Sequence, residues 1–143
     1  IYRLTPKHYH RYIFSDDGVV VRTKRIEGIL HCVRPVALSV YPVFSENTRE
    51  YAVINTDNFG KIIQMEIGAL MVGKISNHKL KGRIAKGLEK GCFEFGGSTI
   101  VVLVKKDEIE FNPDILNKLK KHAEIPVSLG ETVAVKMNGG KVE

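Results

Sequence analysis

Residues 89–106 read EKGCFEFGGSTIVVLVKK, and the fold turns on how that stretch is parsed. Thr99 to Val104 is an apolar, β-branched run of strand length, and Cys92 to Phe95 is a second short run before it. Between them stand Gly96 and Gly97, residues that break a strand and allow a tight bend. The parse is therefore strand, interruption, strand. Ser98 puts a hydroxyl at the mouth of the second strand, directly after the most permissive backbone in the chain.

Working outward, strand signals continue. GVVVRTKRIEG (18–28) is β-branched and then alternating, and EYAVINT (50–56) is similar. GKIIQMEIGALMVGKI (60–75) is a long apolar stretch punctuated by Gly60, Gly68 and Gly73. Alternation there predicts Ile63, Met65 and Ile67 facing a core, with Gln64 and Glu66 facing elsewhere. The glycines predict bulges or bends of the kind that curve a sheet. One helix is predicted: Asn112-Pro113-Asp114 starts it, Ile115, Leu116, Leu119 and His122 recur at helical spacing, and Pro126 stops it. Lys118, Lys120 and Lys121 crowd its end, where the helix dipole favours cations. The tail PVSLGETVAVKMNGG (126–140) reads as one or two closing strands. The fold class expected is mainly β (α+β), with curved antiparallel sheets forming a flattened barrel or sandwich and one helix near residues 113–123. With no repeat and no linker, residues 1–143 are expected to form a single domain.

Composition narrows the function. The chain has 143 residues with 43% hydrophobic content, enough for one real core. No apolar stretch is long enough to span a bilayer as a helix. Lys and Arg outnumber Asp and Glu, 22 to 16, for a net charge of +6, which favours anionic partners. The richest patch, Lys74 to Lys90, carries six basic residues against Glu89. It lacks the interleaved aromatics of a single-strand nucleic-acid platform, so no nucleic-acid partner is expected. Cys32 and Cys92 have no CxxC spacing, and no metal site is expected; both are expected as reduced thiols.

Gly96-Gly97-Ser98 has two readings. The plain one is a turn or bulge followed by a serine that bonds locally. The chemical one is self-cleavage. A serine hydroxyl attacks the carbonyl of the residue before it, the acyl group moves from nitrogen to oxygen, and the ester then eliminates. The new terminus, a dehydroalanine, takes up water, loses ammonia and becomes a pyruvoyl group, a ketone that condenses with an amine and acts as an electron sink. Gly97 offers an uncrowded carbonyl for such an attack, and Gly96 adds backbone freedom.

Three segments, in order, favour the second reading. LTPKHYHRYIFSDDG (4–18) holds a Tyr-His-Arg segment and an Asp-Gly turn. FSENTREYAVINTDNFGKIIQMEIGALMVGKI (44–75) holds an Asn-x-Arg segment and glycine-punctuated strands. KGLEKGCFEFGGSTIVVL (86–103) holds Gly-Gly-Ser-Thr. Together they resemble the carboxyl-terminal part of phosphatidylserine decarboxylases. The resemblance implies that Ser98 is the self-cleaving serine and pyruvoyl precursor, and that Gly97 supplies the scissile carbonyl. Residues 1–97 would belong to a β chain, and residues 98–143 would be the α chain. His10 matches the family histidine that handles the substrate or its proton; read without the resemblance, it is a partly exposed strand histidine. Two features depart from the pattern. Ile13 stands where the family commonly has a second histidine, and the upstream Asp-Gly motif would precede Ile1. Asp16 and Asp17 belong to a different turn.

The implied function is pyruvoyl-dependent decarboxylation of phosphatidylserine to phosphatidylethanolamine. The alternative is an unprocessed, non-catalytic relative that binds lipid or a partner. Phosphatidylserine and an anionic membrane surface are the implied partners, with peripheral attachment at the cytoplasmic face. A homodimer is implied, as is a missing amino-terminal region of the proenzyme, since the chain opens on Ile1 inside a strand-like segment. His78, in a loop near the basic patch, is a candidate contact for the substrate phosphate. His31 reads as a core or edge residue, and His122 as a helix-terminal cation.

Overall fold

The structure is a computed structural model describing residues 1–70, 74–78, 81–94 and 98–137. Its frame is a six-stranded antiparallel sheet in the order β1-β9-β5-β4-β3-β7. The strands are β1 (Tyr2–Leu4), β9 (Ser98–Val104), β5 (Lys61–Ile67), β4 (Arg49–Thr56), β3 (Gly18–Ile26) and β7 (Gly82–Ile84). A three-stranded sheet, β2 (Arg11–Ile13), β8 (Glu89–Glu94) and β6 (Lys74–Asn77), is ordered β2-β8-β6. A ribbon of β10 (Ile109–Phe111) and β11 (Ala134–Lys136) completes the strands. The larger sheet ends on β1 and β7 and does not close into a barrel.

Local chemistry accounts for the main turns. β4 and β5 are joined by Asp57 to Gly60, where Gly60 takes φ 63° and Thr56 bonds the Gly60 carbonyl through both its amide and its hydroxyl. The Asp-Asp-Gly turn before β3 is locked by its acids. Asp16, buried, accepts from the backbone and side-chain amides of Asn58, and Asp17 accepts from the amide of Lys86.

The core lies in three parts. Phe14, Ala52, Ile54, Ile62 and Ile84 form the first, with Val20, Phe59, Val102 and Val104 against it. Tyr12, Ile75 and Phe93 of the smaller sheet meet Leu4 and Ile100 of the larger one, which seals the space between the two sheets. Val33, Val43 and Ala69 form the third, with Phe44 against them.

The structure alters three expectations. Helix α3 (Pro113–Leu119) forms as read, with the Asn112 side chain accepting from the Asp114 amide, but it ends four residues before 123 and continues only as a turn through His122. Two single-turn helices, α1 (Pro35–Leu38) and α2 (Val43–Glu46), join it. Four residues are too few to display helical periodicity. The third change concerns β5. Gln64 and Glu66 are fully buried while Ile63 and Met65 are half-buried, so the polar side of this strand faces inward. Burial is possible because both side chains find partners across the gap: the Gln64 amide donates to the Ile13 carbonyl, and Glu66 takes a lysine and an asparagine.

Candidate functional site

Ser98 opens β9 and pairs with Leu4 on one side, while Ile100 pairs with Glu66 on the other. Paired residues of antiparallel strands present their side chains to the same face, and alternate residues share it. Leu4 and Ile100 pack onto Tyr12, Ile75 and Phe93. Ser98 and Glu66 therefore face the three-stranded sheet. Ser98 is completely buried, and its Oγ has no hydrogen-bond partner among the described residues. A buried hydroxyl left without a partner costs on the order of 1–3 kcal/mol. A serine that served only to cap a turn would be bonded. A buried hydroxyl with no partner among the described residues is free for chemistry at this position. Gly97, the other half of the expected cleavage site, lies outside the described residues.

His10 enters the same space from the opposite sheet. Its carbonyl accepts from the Phe93 amide, so the β2–β8 ladder runs on through it. Alternation sets it on the side of Tyr12, two residues on. Its Nε2 is buried and has no partner among the described residues. β8 ends at Glu94 and β9 begins at Ser98. Ile13 lies in β2 and contributes its carbonyl to Gln64.

Between the sheets runs a buried polar chain that the sequence did not announce. The Tyr12 hydroxyl donates to Asn77 Oδ1 at 2.9 Å, and Asn77 Nδ2 donates to Glu66 Oε2 at 3.1 Å. Lys90 Nζ donates to the same carboxylate oxygen and lies 5.8 Å from the centre of the Tyr12 ring. Lys90 and Glu66 are 3% and 0% exposed. Glu66 Oε1, the other oxygen, is buried with no partner among the described residues. Burial pushes the Glu66 carboxyl above its ordinary range, against the pull of Lys90 and Asn77. Burial also pushes the Tyr12 phenol well up. The one signal for this chain was Lys90 itself, a lysine inside a strand-length run.

His78 stands apart. It follows β6, its amide bonds the Lys90 carbonyl, and its imidazole lies 2.9 Å from Glu89 Oε1. Glu89 also takes Arg11, and these contacts, led by the His78 bond, hold its carboxyl below the usual range. This is the opposite end of β8 from Phe93 and Glu94. Much of the basic patch is likewise engaged: Lys74 with Glu94, Arg83 with Asp57, and Lys90 with Glu66. Of the remaining histidines, His8 accepts from the Thr5 amide, and His31 stacks on Tyr41 at 4.4 Å and meets Glu46 at 3.1 Å. Cys32 and Cys92 are free and half-buried. Among the described residues no cluster of metal-ligating side chains forms and no helix is long and apolar enough to cross a membrane.

Beside the Ser98 end of the larger sheet sits the 29–47 segment. Asn47, fully buried, donates from Nδ2 to the carbonyls of His31 and Gly68, each at 2.8 Å, and accepts from the His31 amide. It thereby ties α1 and α2 to the chain just past β5.

Residues 1–135 match the family model described as phosphatidylserine decarboxylase. Over 133 residues the chain is 52% identical to phosphatidylserine decarboxylase proenzyme 2 of Clostridium acetobutylicum, covering 93% of this chain and 45% of that protein. It is 44% identical over 138 residues to phosphatidylserine decarboxylase proenzyme of Clostridium botulinum, covering 95% and 47%. The corresponding protein of Ruminiclostridium cellulolyticum is 44% identical over 135 residues, covering 93% and 45%. The chain thus spans about half the length of these curated relatives. No solved structure gives a significant match.

Proposed function

The chain belongs to the phosphatidylserine decarboxylase family, and from that membership we propose that it is the self-processing, catalytic part of an enzyme that converts phosphatidylserine to phosphatidylethanolamine. The observation that carries the proposal is the serine itself. Ser98 is fully buried, its hydroxyl has no partner among the described residues, and it follows two glycines at the start of a strand. Cleavage falls between Gly97 and Ser98, and residue 98 becomes the pyruvoyl group. That group, once formed, supplies a carbonyl that binds the substrate amine and accepts the electron pair released as carbon dioxide leaves.

The remaining work belongs to the side chains around it. His10 Nε2, turned into the same gap, gives a proton to the carbon from which carbon dioxide has departed. Leu4, Ile100, Tyr12 and Phe93 keep water from that carbon until the proton arrives. The substrate is a bilayer lipid, so the enzyme works at a membrane surface, attached peripherally at its cytoplasmic face. The basic surplus of the chain suits an anionic headgroup. The working unit is a homodimer of the full-length protein.

Intact mass of the full-length protein is the test. The expected result is two chains, the smaller beginning at position 98 with no free amino group and with a carbonyl that borohydride reduces. Ser98→Ala is expected to leave a single chain with no decarboxylase activity. A wild-type chain found whole, with an unmodified serine, would overturn the proposal in favour of a relative that holds lipid without chemistry.

A further inference from the structure

Self-cleavage requires something to accept the Ser98 hydroxyl proton, and the geometry points to Glu66 as that acceptor, held in place by Lys90 and Asn77. The inference rests on the cleavage reading above and adds a residue to it. Among the described residues, the buried side-chain polar atoms without partners are Ser98 Oγ, Glu66 Oε1 and His10 Nε2. Native interiors leave few such atoms, so three in one inter-sheet space call for a common cause.

Glu66 and Ser98 lie on hydrogen-bonded neighbouring strands. The register sets Glu66 opposite Ile100, so Ser98 is its diagonal neighbour on the same face. Diagonal neighbours stand roughly 7 Å apart, within reach of a long side chain. His10, by contrast, projects from the other sheet and is used for the substrate carbon. One oxygen of Glu66 is anchored by two donors, Lys90 and Asn77, and Asn77 is in turn oriented by the Tyr12 hydroxyl. The second oxygen has no partner among the described residues, and Glu66 stands on the sheet face that Ser98 shares. Lys90 favours the ionised carboxylate, the form that can take a proton, while burial makes that carboxylate a stronger base than an exposed one.

Lys90 reaches this position through an irregularity of its strand. Tyr12 pairs with Gly91 and Ile13 pairs with Glu89, so Lys90 is the extra residue of a β-bulge. A bulge re-aims a side chain, and here it turns an ammonium from the surface into the gap.

The step balances internally. The Ser98 hydroxyl proton passes to Glu66 Oε1, and the freed oxygen bonds to the carbonyl carbon of the preceding residue. The carbon–nitrogen bond of that peptide breaks with its electron pair remaining on nitrogen. The Ser98 nitrogen then takes the proton back from Glu66. The product is an ester isomeric with the starting peptide.

A Glu66→Leu/Lys90→Met double variant of the full-length protein tests the assignment, because it removes the whole ion pair and leaves apolar groups of similar size. Cleavage is followed by intact mass after synthesis, and folding by thermal unfolding. The double variant is expected to fold and to be cut at least about a hundredfold more slowly than wild type. If it does not fold, Glu66→Asp replaces it, keeping the charge but withdrawing the oxygen by one methylene; slowing of at least about tenfold is expected. A folded double variant cut at the wild-type rate, or an unslowed Glu66→Asp, overturns this inference and leaves the cleavage reading standing. A wild-type chain that stays whole overturns both.

Discussion

Lys90 and Glu66 show what a charge pair means when it is removed from water. Each ion loses its hydration, and the pair is tolerable only because each compensates the other. Lys90→Met is therefore expected to cost about 3–5 kcal/mol near neutral pH, because it strands a buried carboxylate. The pH dependence has a definite sign. Burial already sets the Glu66 carboxyl above its unfolded value of about 4.3, so the folded state binds this proton more readily than the unfolded one. Stability contributed here falls as pH rises through the window above that value, and losing Lys90 widens the window. Urea unfolding at pH 4.5 and pH 8 is expected to show a smaller defect at the lower pH, and an equal defect at both would contradict this account. Ser98 stands out as a candidate in the sequence because two glycines before a hydroxyl form a local pattern. Glu66 does not, since a polar residue in an alternating strand reads as solvent-facing until its partner, 24 residues away, is known.

At the scale of elements, the β6–β8 pair is built around a missing side chain. A Cβ on Gly91 would come within 2.4 Å of the Ser76 carbonyl oxygen and 2.8 Å of the Asn77 Cα, both backbone atoms. Gly91→Ala is expected to force β6 away from β8, pull Asn77 off Glu66 and lower the melting temperature. The check is a thermal scan together with loss of amide-exchange protection confined to residues 74–77 and 89–94. The strands themselves were readable from β-branched runs bounded by glycine, and α3 from its proline and cap. The single-turn helices α1 and α2 were hidden because their stability comes from Val43 in the third core cluster and from Asn47 beyond them, not from a local repeat. The inward face of β5 was misread for a similar reason: the sheet that covers it comes from segments on both sides in sequence.

At the scale of the molecule, strand order separates what was readable from what was not. Local signals report that strands exist, whereas the placement of β9 between β1 and β5 depends on long-range pairings, one of which joins Tyr2 to Ile100. That placement bears on what a break before Ser98 would do. The segment from Ser98 onward contributes β9 to the interior of the larger sheet and also holds α3 and the separate β10–β11 ribbon. After cleavage the two pieces are expected to travel together on a sizing column in native buffer and to part only in denaturant; separation in native buffer would contradict the strand order. The same interleaving predicts that the architecture survives a break in the chain before Ser98. Two separately translated polypeptides ending and starting there are expected to assemble on one another through the same strand pairings, and their complex would carry the ordinary amino group of a translated terminus in place of the carbonyl expected of self-cleavage.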